Sequence, residues 1–188
     1  MGNKEKRSFP VISLPSDGCI WANTIENLPR EIPDGAYLAA EILCRDAEDV
    51  LLSFEEALGP RLLVPEVWRE ILPTAGILIS SSLSGGTLRQ RLEDAQRAST
   101  GRCWLRLERL RMRFPLPCPT GAGKDLTQNE LDRLLQNGPG FYSPEFCCRY
   151  LYDLPDGIVL YDTEKTWEEK IKLAQSVGFS GALVPSEG

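Results

Sequence analysis

The chain contains no histidine in 188 residues. That removes both the commonest general base and the commonest transition-metal ligand. Acid–base chemistry would have to rest on carboxylates, Lys, Tyr or Cys. The cysteines, Cys19, Cys44, Cys103, Cys118, Cys147 and Cys148, lack the paired C-x-x-C spacing of a zinc site. Without a histidine beside them they read as reduced, mostly buried small hydrophobes. No metal site and no cofactor are expected. No apolar run approaches the roughly 20 residues of a membrane helix. The opening stretch MGNKEKRSFP is charged without an apolar segment behind it, and Lys6 stands where a myristoylation signal needs Ser or Thr. These features predict a cytoplasmic protein without membrane contact, with residues 1–8 flexible.

The charge balance is acidic, with a formal net charge of −6. That argues against a surface that coats nucleic acid. The composition, 42% hydrophobic and 26% charged, suits a globular chain long enough for one sizeable core.

Short apolar runs alternate with amphipathic stretches. Residues 9–15 (FPVISLP), 35–43 (GAYLAAEIL), 61–64 (RLLV), 76–80 (GILIS), 158–162 (IVLYD) and 181–184 (GALV) read as strands. Helices are expected over 46–58 with Asp46 as N-cap, over a short stretch after Pro65, over 88–98, over 127–136, and over 167–177 with Thr166 as cap and Gly178 as stop. Thr127 and Glu130 form the S/T-x-x-E capping-box pattern. Several strands are apolar throughout, as strands covered on both faces are. The rhythm predicts a single α/β domain over 1–188 with a mainly parallel sheet, built as a reduced or partial TIM-like barrel. The aromatic stretch 141–153 is left without an assignment. Its Phe141, Tyr142, Phe146, Tyr150 and Tyr152 would form an exposed patch in an interaction or assembly protein, with homo-oligomerisation left open.

Residues 118–125 (CPTGAGKD) approach the phosphate loop G-x-x-x-x-G-K-[ST]. Cys118 replaces the first Gly, Asp125 replaces the magnesium-binding hydroxyl, and the helix signal starts only at Thr127. Nucleotide binding through 121–124 is therefore the least favoured function. Upstream, CWLRLERLRMRFPLP shifts its apolar parity between Leu107 and Leu110, which predicts a β-bulge near Glu108–Arg109. Arg102, Arg106, Arg109, Arg111 and Arg113 in this stretch suit phosphate or carboxylate groups, or pairing with the chain's own acids.

Glu41, Glu108 and Asp162 each fall on or at the end of an expected strand, where parallel α/β folds place their sites. Two carboxylates flanking a glycosidic bond need no histidine. These three are the candidate catalytic residues. Arg106, Arg109, Trp104 and Tyr161 are candidate ligand contacts, since aromatic faces stack on sugars.

Residues 158–186 (IVLYDTEKTWEEKIKLAQSVGFSGALVPS) resemble the closing strand–helix–strand of chitinase-like glycoside hydrolase barrels: a strand ending in Asp, a helix with a Lys- and Ala-bearing face, Gly-Phe-x-Gly and a final strand. The resemblance implies an eight-stranded barrel of about 250 residues and a carbohydrate ligand. The catalytic D-x-x-D-x-D-x-E pattern of that family occurs nowhere in the chain. The expected function is thus a degenerate barrel that binds a small polar ligand or carbohydrate with little or no catalysis. An assembly protein and a carboxylate-based glycoside hydrolase are the alternatives, and the sequence does not decide whether the chain is an enzyme.

Overall fold

The computed structural model describes residues 9–16, 18–82, 85–99, 101–136, 138–153 and 157–185. The expectation for residues 1–8 lies outside the described residues. In chain order the elements are β1 (Val11–Leu14), β2 (Cys19–Ala22), β3 (Tyr37–Ala40), α1 (Glu48–Leu58), β4 (Leu62–Pro65), β5 (Gly76–Ser80), α2 (Leu88–Ala98), β6 (Cys103–Arg106), β7 (Arg111–Pro115), β8 (Lys124–Asp125), α3 (Gln128–Leu135), β9 (Phe141–Ser143), β10 (Cys148–Asp153), β11 (Gly157–Tyr161), α4 (Glu164–Val177) and β12 (Gly181–Pro185). Seven strands form a parallel sheet in the order β1-β12-β6-β5-β4-β3-β2, nearly closed into a barrel, with its two ends, β1 and β2, lying side by side. This is the partial TIM-like barrel that the strand–helix rhythm implied.

Side-chain alternation sorts the strands into two faces. Leu62 and Val64 of β4, Ile77 and Ile79 of β5, and Cys103 and Leu105 of β6 pack outward. They meet Leu51 of α1, Leu88 and Leu92 of α2, and Leu173 and Ala174 of α4. The intervening residues, Leu63, Leu78, Trp104, Leu183, Ala39 and Cys19, form a second cluster that contains no helix residue. That cluster is the barrel interior. Trp104 is its largest member, and only 4% of it is exposed. The indole fits because glycines face it: a Cβ on Gly181 would stand 2.4 Å from Trp104 Cζ3, and one on Gly76 would meet Leu63 at 2.5 Å and Trp104 at 3.0 Å.

A second sheet is inserted between β6 and α4. It is antiparallel, in the order β8-β7-β11-β10-β9. The expected bulge at Glu108–Arg109 is instead the crossing point between the two sheets: β6 ends at Arg106 in the barrel and β7 begins at Arg111 in the second sheet. The apolar parity changes because the two halves of the stretch belong to different cores. The unassigned aromatic stretch is the β9–β10 hairpin, paired Phe141 to Tyr150. Helix α3 packs Leu131, Leu134 and Leu135 on Val159, Tyr161 and Leu151 of one sheet face.

Helix starts follow capping chemistry. Thr87, Thr127 and Thr163 each open a helix with reciprocal capping bonds. For α4 the cap is Thr163 and not Thr166, because Thr166 is the N3 partner whose hydroxyl accepts the Thr163 N–H at 2.9 Å. Before α1, residues 45–47 form a 3-10 turn and Ala47, not Asp46, occupies the cap position. The expected helix after Pro65 is a single 3-10 turn over Glu66–Trp68.

The joint between the sheets is held by one buried ion pair. Lys170 Nζ lies 2.6 and 2.8 Å from the two carboxylate oxygens of Asp162, and both side chains are 1% exposed. The Thr166 hydroxyl and the Leu110 N–H also donate to Asp162, at 2.9 and 3.2 Å, and the Asp162 N–H returns a bond to the Leu110 carbonyl at 2.9 Å. Removing one partner of a buried pair leaves an uncompensated charge, which costs about 3–5 kcal/mol. Lys170→Met should therefore lower the urea unfolding free energy by about 3–5 kcal/mol. Lys172→Met, which breaks an exposed pair with Glu168, should change it by under about 0.5 kcal/mol. Equal effects would refute the clamp.

Candidate functional site

The alternation that buries Trp104 also decides what sits above it. Two residues further along β6, Arg106 points to the same interior side. By the same count, Glu41 follows Ala39 of β3, Trp21 follows Cys19 of β2, and Ser80 follows Leu78 of β5. The parallel register sets Ser80 opposite Arg106 and Trp21 opposite Ala39. The apolar interior layer is thus capped, at the carboxyl ends of the strands, by a polar layer of Trp21, Glu41, Ser80 and Arg106.

This layer is bonded together. Arg106 Nε donates to Glu41 Oε1 at 2.7 Å, and Trp21 Nε1 donates to the same oxygen at 3.0 Å. Arg106 Nη1 also reaches the Leu107 carbonyl at 3.1 Å. The Trp21 indole is 44% exposed, so its face is open while its N–H is fixed. A cavity of about 360 Å³ opens here between Leu14, Pro15, Trp21, Arg106 and Pro185. Beside it the Ser80 hydroxyl donates to Glu108 Oε1 at 2.7 Å, and the Ser81 hydroxyl accepts the Glu108 N–H at 2.9 Å.

From Glu108 the surface continues onto the second sheet. A hollow of about 230 Å³ joins Ser82 and Glu108 to Met112 and Phe114 of β7. Directly paired residues of antiparallel strands share a face. Met112 pairs with Leu160, Leu160 with Tyr150, and Tyr150 with Phe141; Phe114 pairs with Ile158, and Ile158 with Tyr152. One face of the sheet therefore carries an apolar and aromatic band that begins at the barrel mouth. Phe141 and Tyr150 stand 5.6 Å apart, and Tyr150 and Tyr152 meet edge-on at 5.9 Å. Phe141 is 61% and Tyr152 56% exposed.

The sequence-derived candidates separate into three places. Glu41 and Arg106 meet at the mouth, and Glu108 lies beside them on Ser80. Asp162, Tyr161 and Arg109 line a different cavity at the sheet joint. Asp162 is held there by Lys170, and the Tyr161 hydroxyl donates to the Pro139 carbonyl. Arg109 lies over the Trp167 ring, 5.5 Å from its centroid. Trp104 lies in the barrel interior beneath the mouth, 5.0 Å from the Tyr37 ring. In the loop 118–125, Lys124 pairs with Arg113 as the short edge strand β8, and α3 follows only after Thr127. Sequence reasoning placed Phe141, Tyr150 and Tyr152 in one aromatic patch but missed Trp21 and the continuation of the patch through Ile158, Leu160, Met112 and Phe114. The signal for Trp21 was the alternation in CIWA, too short to register as a strand. Among the described residues, no three Cys, Asp or Glu are grouped to hold a metal ion, and no helix is long and apolar enough to cross a membrane.

Comparison with solved structures gives the fold a context. The Bacillus cereus spore cortex-lytic enzyme SleL superposes with a TM-score of 0.52 at 13% identity, over 81% of this chain and 44% of that one. A putative sporulation-specific glycosylase, ydhD from Bacillus subtilis, gives 0.53 at 11% identity, over 78% and 63%. The chain shares their barrel fold. It spans roughly half the length of these two proteins. No family model and no curated protein matches the sequence.

The thiols stand apart from the mouth chemistry. Burial pushes Cys19 and Cys103 up to about 11 and Cys148 up to about 12, and raises Cys147 as well. Thiolates react and thiols do not, so these four should be inert while the protein is folded. Cys44 is exposed and Cys118 partly so. Titration with a disulfide reagent at pH 8 should modify Cys44 and Cys118 promptly and the other four only in denaturant. Prompt reaction of more than two thiols would contradict the packing.

Proposed function

We propose that the chain is a degenerate barrel that binds a carbohydrate across its mouth and along the aromatic band of its second sheet, with little or no catalysis. The observation that carries this reading is the continuity of the two surfaces. A fixed indole, a carboxylate and a guanidinium at the mouth supply hydrogen-bond donors and acceptors for hydroxyls. The band of Met112, Phe114, Tyr150, Phe141 and Tyr152 supplies flat apolar faces for ring C–H surfaces. A sugar chain presents both along its length, hydroxyls at the ring edges and apolar C–H faces. The cortex-lytic enzyme and the putative glycosylase that share the fold favour the same ligand class.

Two features support weak catalysis or none. Glu41 is tied to Arg106 and Trp21, and Asp162 to Lys170, so neither stands free beside the mouth cavity as an acid–base pair would require. Glu41 and Glu108 are the two carboxylates at the mouth. If the chain were a hydrolase, these two would be the pair, and Glu41→Gln and Glu108→Gln would each abolish product release. The binding reading predicts no release from N-acetylated or plain oligosaccharides on prolonged incubation.

Binding itself is read by titration calorimetry with a panel of soluble oligosaccharides of two to six residues. Wild type should bind at least one of them, more tightly as the chain lengthens. Trp21→Ala should weaken binding by about tenfold, or about 1.4 kcal/mol, and Phe141→Ala/Tyr152→Ala should remove the dependence on length. No binding by any member would sink the proposal.

A second reading is favoured by the exposure of Phe141 and Tyr152: the band is a self-association face. Light scattering after size exclusion separates the two. A concentration-dependent dimer that Phe141→Ser/Tyr152→Ser abolishes would favour association, and a monomer with intact oligosaccharide binding would favour the carbohydrate reading.

A further inference from the structure

The cavity at the joint of the two sheets lies next to the hollow beside Glu108, with Arg109 and Leu110 lining both. Its volume is about 220 Å³, and it is lined by Arg109, Arg111, Gln128, Thr163, Glu164 and Trp167 over an apolar floor. Several observations at this cavity point the same way. The Arg109 guanidinium lies over the face of Trp167, 5.5 Å from the centroid, a posture that steadies the cation while leaving its N–H edges free. Arg111 gives one N–H to Gln128 Oε1 at 3.0 Å, but its Nε is buried without an acceptor.

The charge at this place is unbalanced. Among the described residues, neither Arg109 nor Arg111 forms an ion pair. The Asp162 carboxylate, which also lines the cavity, has both oxygens occupied by Lys170 and further bonds from Thr166 and Leu110. The remaining acid is Glu164, exposed in the first turn of α4. Two guanidinium groups without an ion-pair partner, against one solvated carboxylate, leave a net positive hollow, and the amino end of the 14-residue helix α4 adds to it.

We propose that this cavity binds a small oxyanion, the carboxylate or phosphate group of a larger molecule or of a free metabolite. The hollow is smaller than the 300–1,000 Å³ usual for a whole organic ligand, and it suits one charged group. Arg111 and Arg109 supply the forked donors that match two oxygens. The site shares Arg109 and Leu110 with the hollow beside Glu108, and the proposal does not depend on carbohydrate binding.

The test uses the full chain and two probes at constant ionic strength, inorganic phosphate and acetate, followed by titration calorimetry and thermal melting. Saturable binding of phosphate with a rise in melting temperature identifies a phosphoryl group as the ligand chemistry. Saturable binding of acetate identifies a carboxylate. In either case Arg109→Gln and Arg111→Gln should each weaken binding by tenfold or more, and Arg89→Gln, an exposed arginine paired with Glu93, should leave it unchanged. Arg111→Lys keeps the charge and removes the fork, and should weaken binding several-fold even if the glutamine variants fold poorly. Absence of saturable binding by both probes would overturn the proposal, as would binding that Arg109→Gln and Arg111→Lys leave intact.

Discussion

The Asp162–Lys170 pair is the interaction on which the rest of the molecule depends. Asp162 closes the last strand of the inserted sheet, and Lys170 stands in the middle of α4, which covers the barrel. With both side chains 1% exposed, the pair carries a heavy desolvation cost that only near-complete bonding offsets. That bonding is present: three donor groups make four hydrogen bonds to one carboxylate, from the helix, from its cap region and from the crossing at Leu110. The result is a fixed angle between the two sheets. The aromatic band meets the barrel mouth, and Arg109 reaches Trp167, because this joint cannot slide.

The mouth itself follows from a simpler rule. A barrel strand points alternate residues inward, so a polar residue two positions beyond an interior apolar one must sit on top of the core. Trp104 and Arg106 obey that rule on β6, Ala39 and Glu41 on β3, and Cys19 and Trp21 on β2. The indole of Trp104 fills the floor only because Gly76 and Gly181 give it room. The floor supports Arg106, and Arg106 in turn orients Glu41. The chain thus builds a polar site on an apolar plug without a histidine or a metal cluster among its described residues.

The parts legible in the sequence were those with strong local causes. Apolar runs such as GILIS and GALV lie in the central strands, since burial on both faces leaves no room for polar residues. Threonine caps and Gly178 marked helix ends through their own backbone bonds. The Glu41–Arg106 contact was half visible, because strand-end position was readable and the partner was not: the residues lie 65 positions apart. The inserted sheet was hidden for two reasons. Its strands have one face against α3 and the other face open yet aromatic, so FYS and CRYLYD show no clean polar–apolar alternation. The break at Glu108–Arg109 also mimics a bulge, since a change of sheet and an extra residue alter the parity in the same way. The role of Asp162 was hidden too, because its partner arrives from the second turn of a following helix, a contact that no fixed sequence spacing encodes.

On the proposed function, the barrel mouth and the aromatic band form one ligand-binding surface. The most direct measurement is a crystal structure of the chain with a bound hexasaccharide. One sugar is expected against the Trp21 indole, within hydrogen-bond reach of Glu41 or Arg106, and further sugars stacked along Phe114, Tyr152 and Phe141. A saccharide bound on another face, or one touching the mouth with the band left bare, would contradict it.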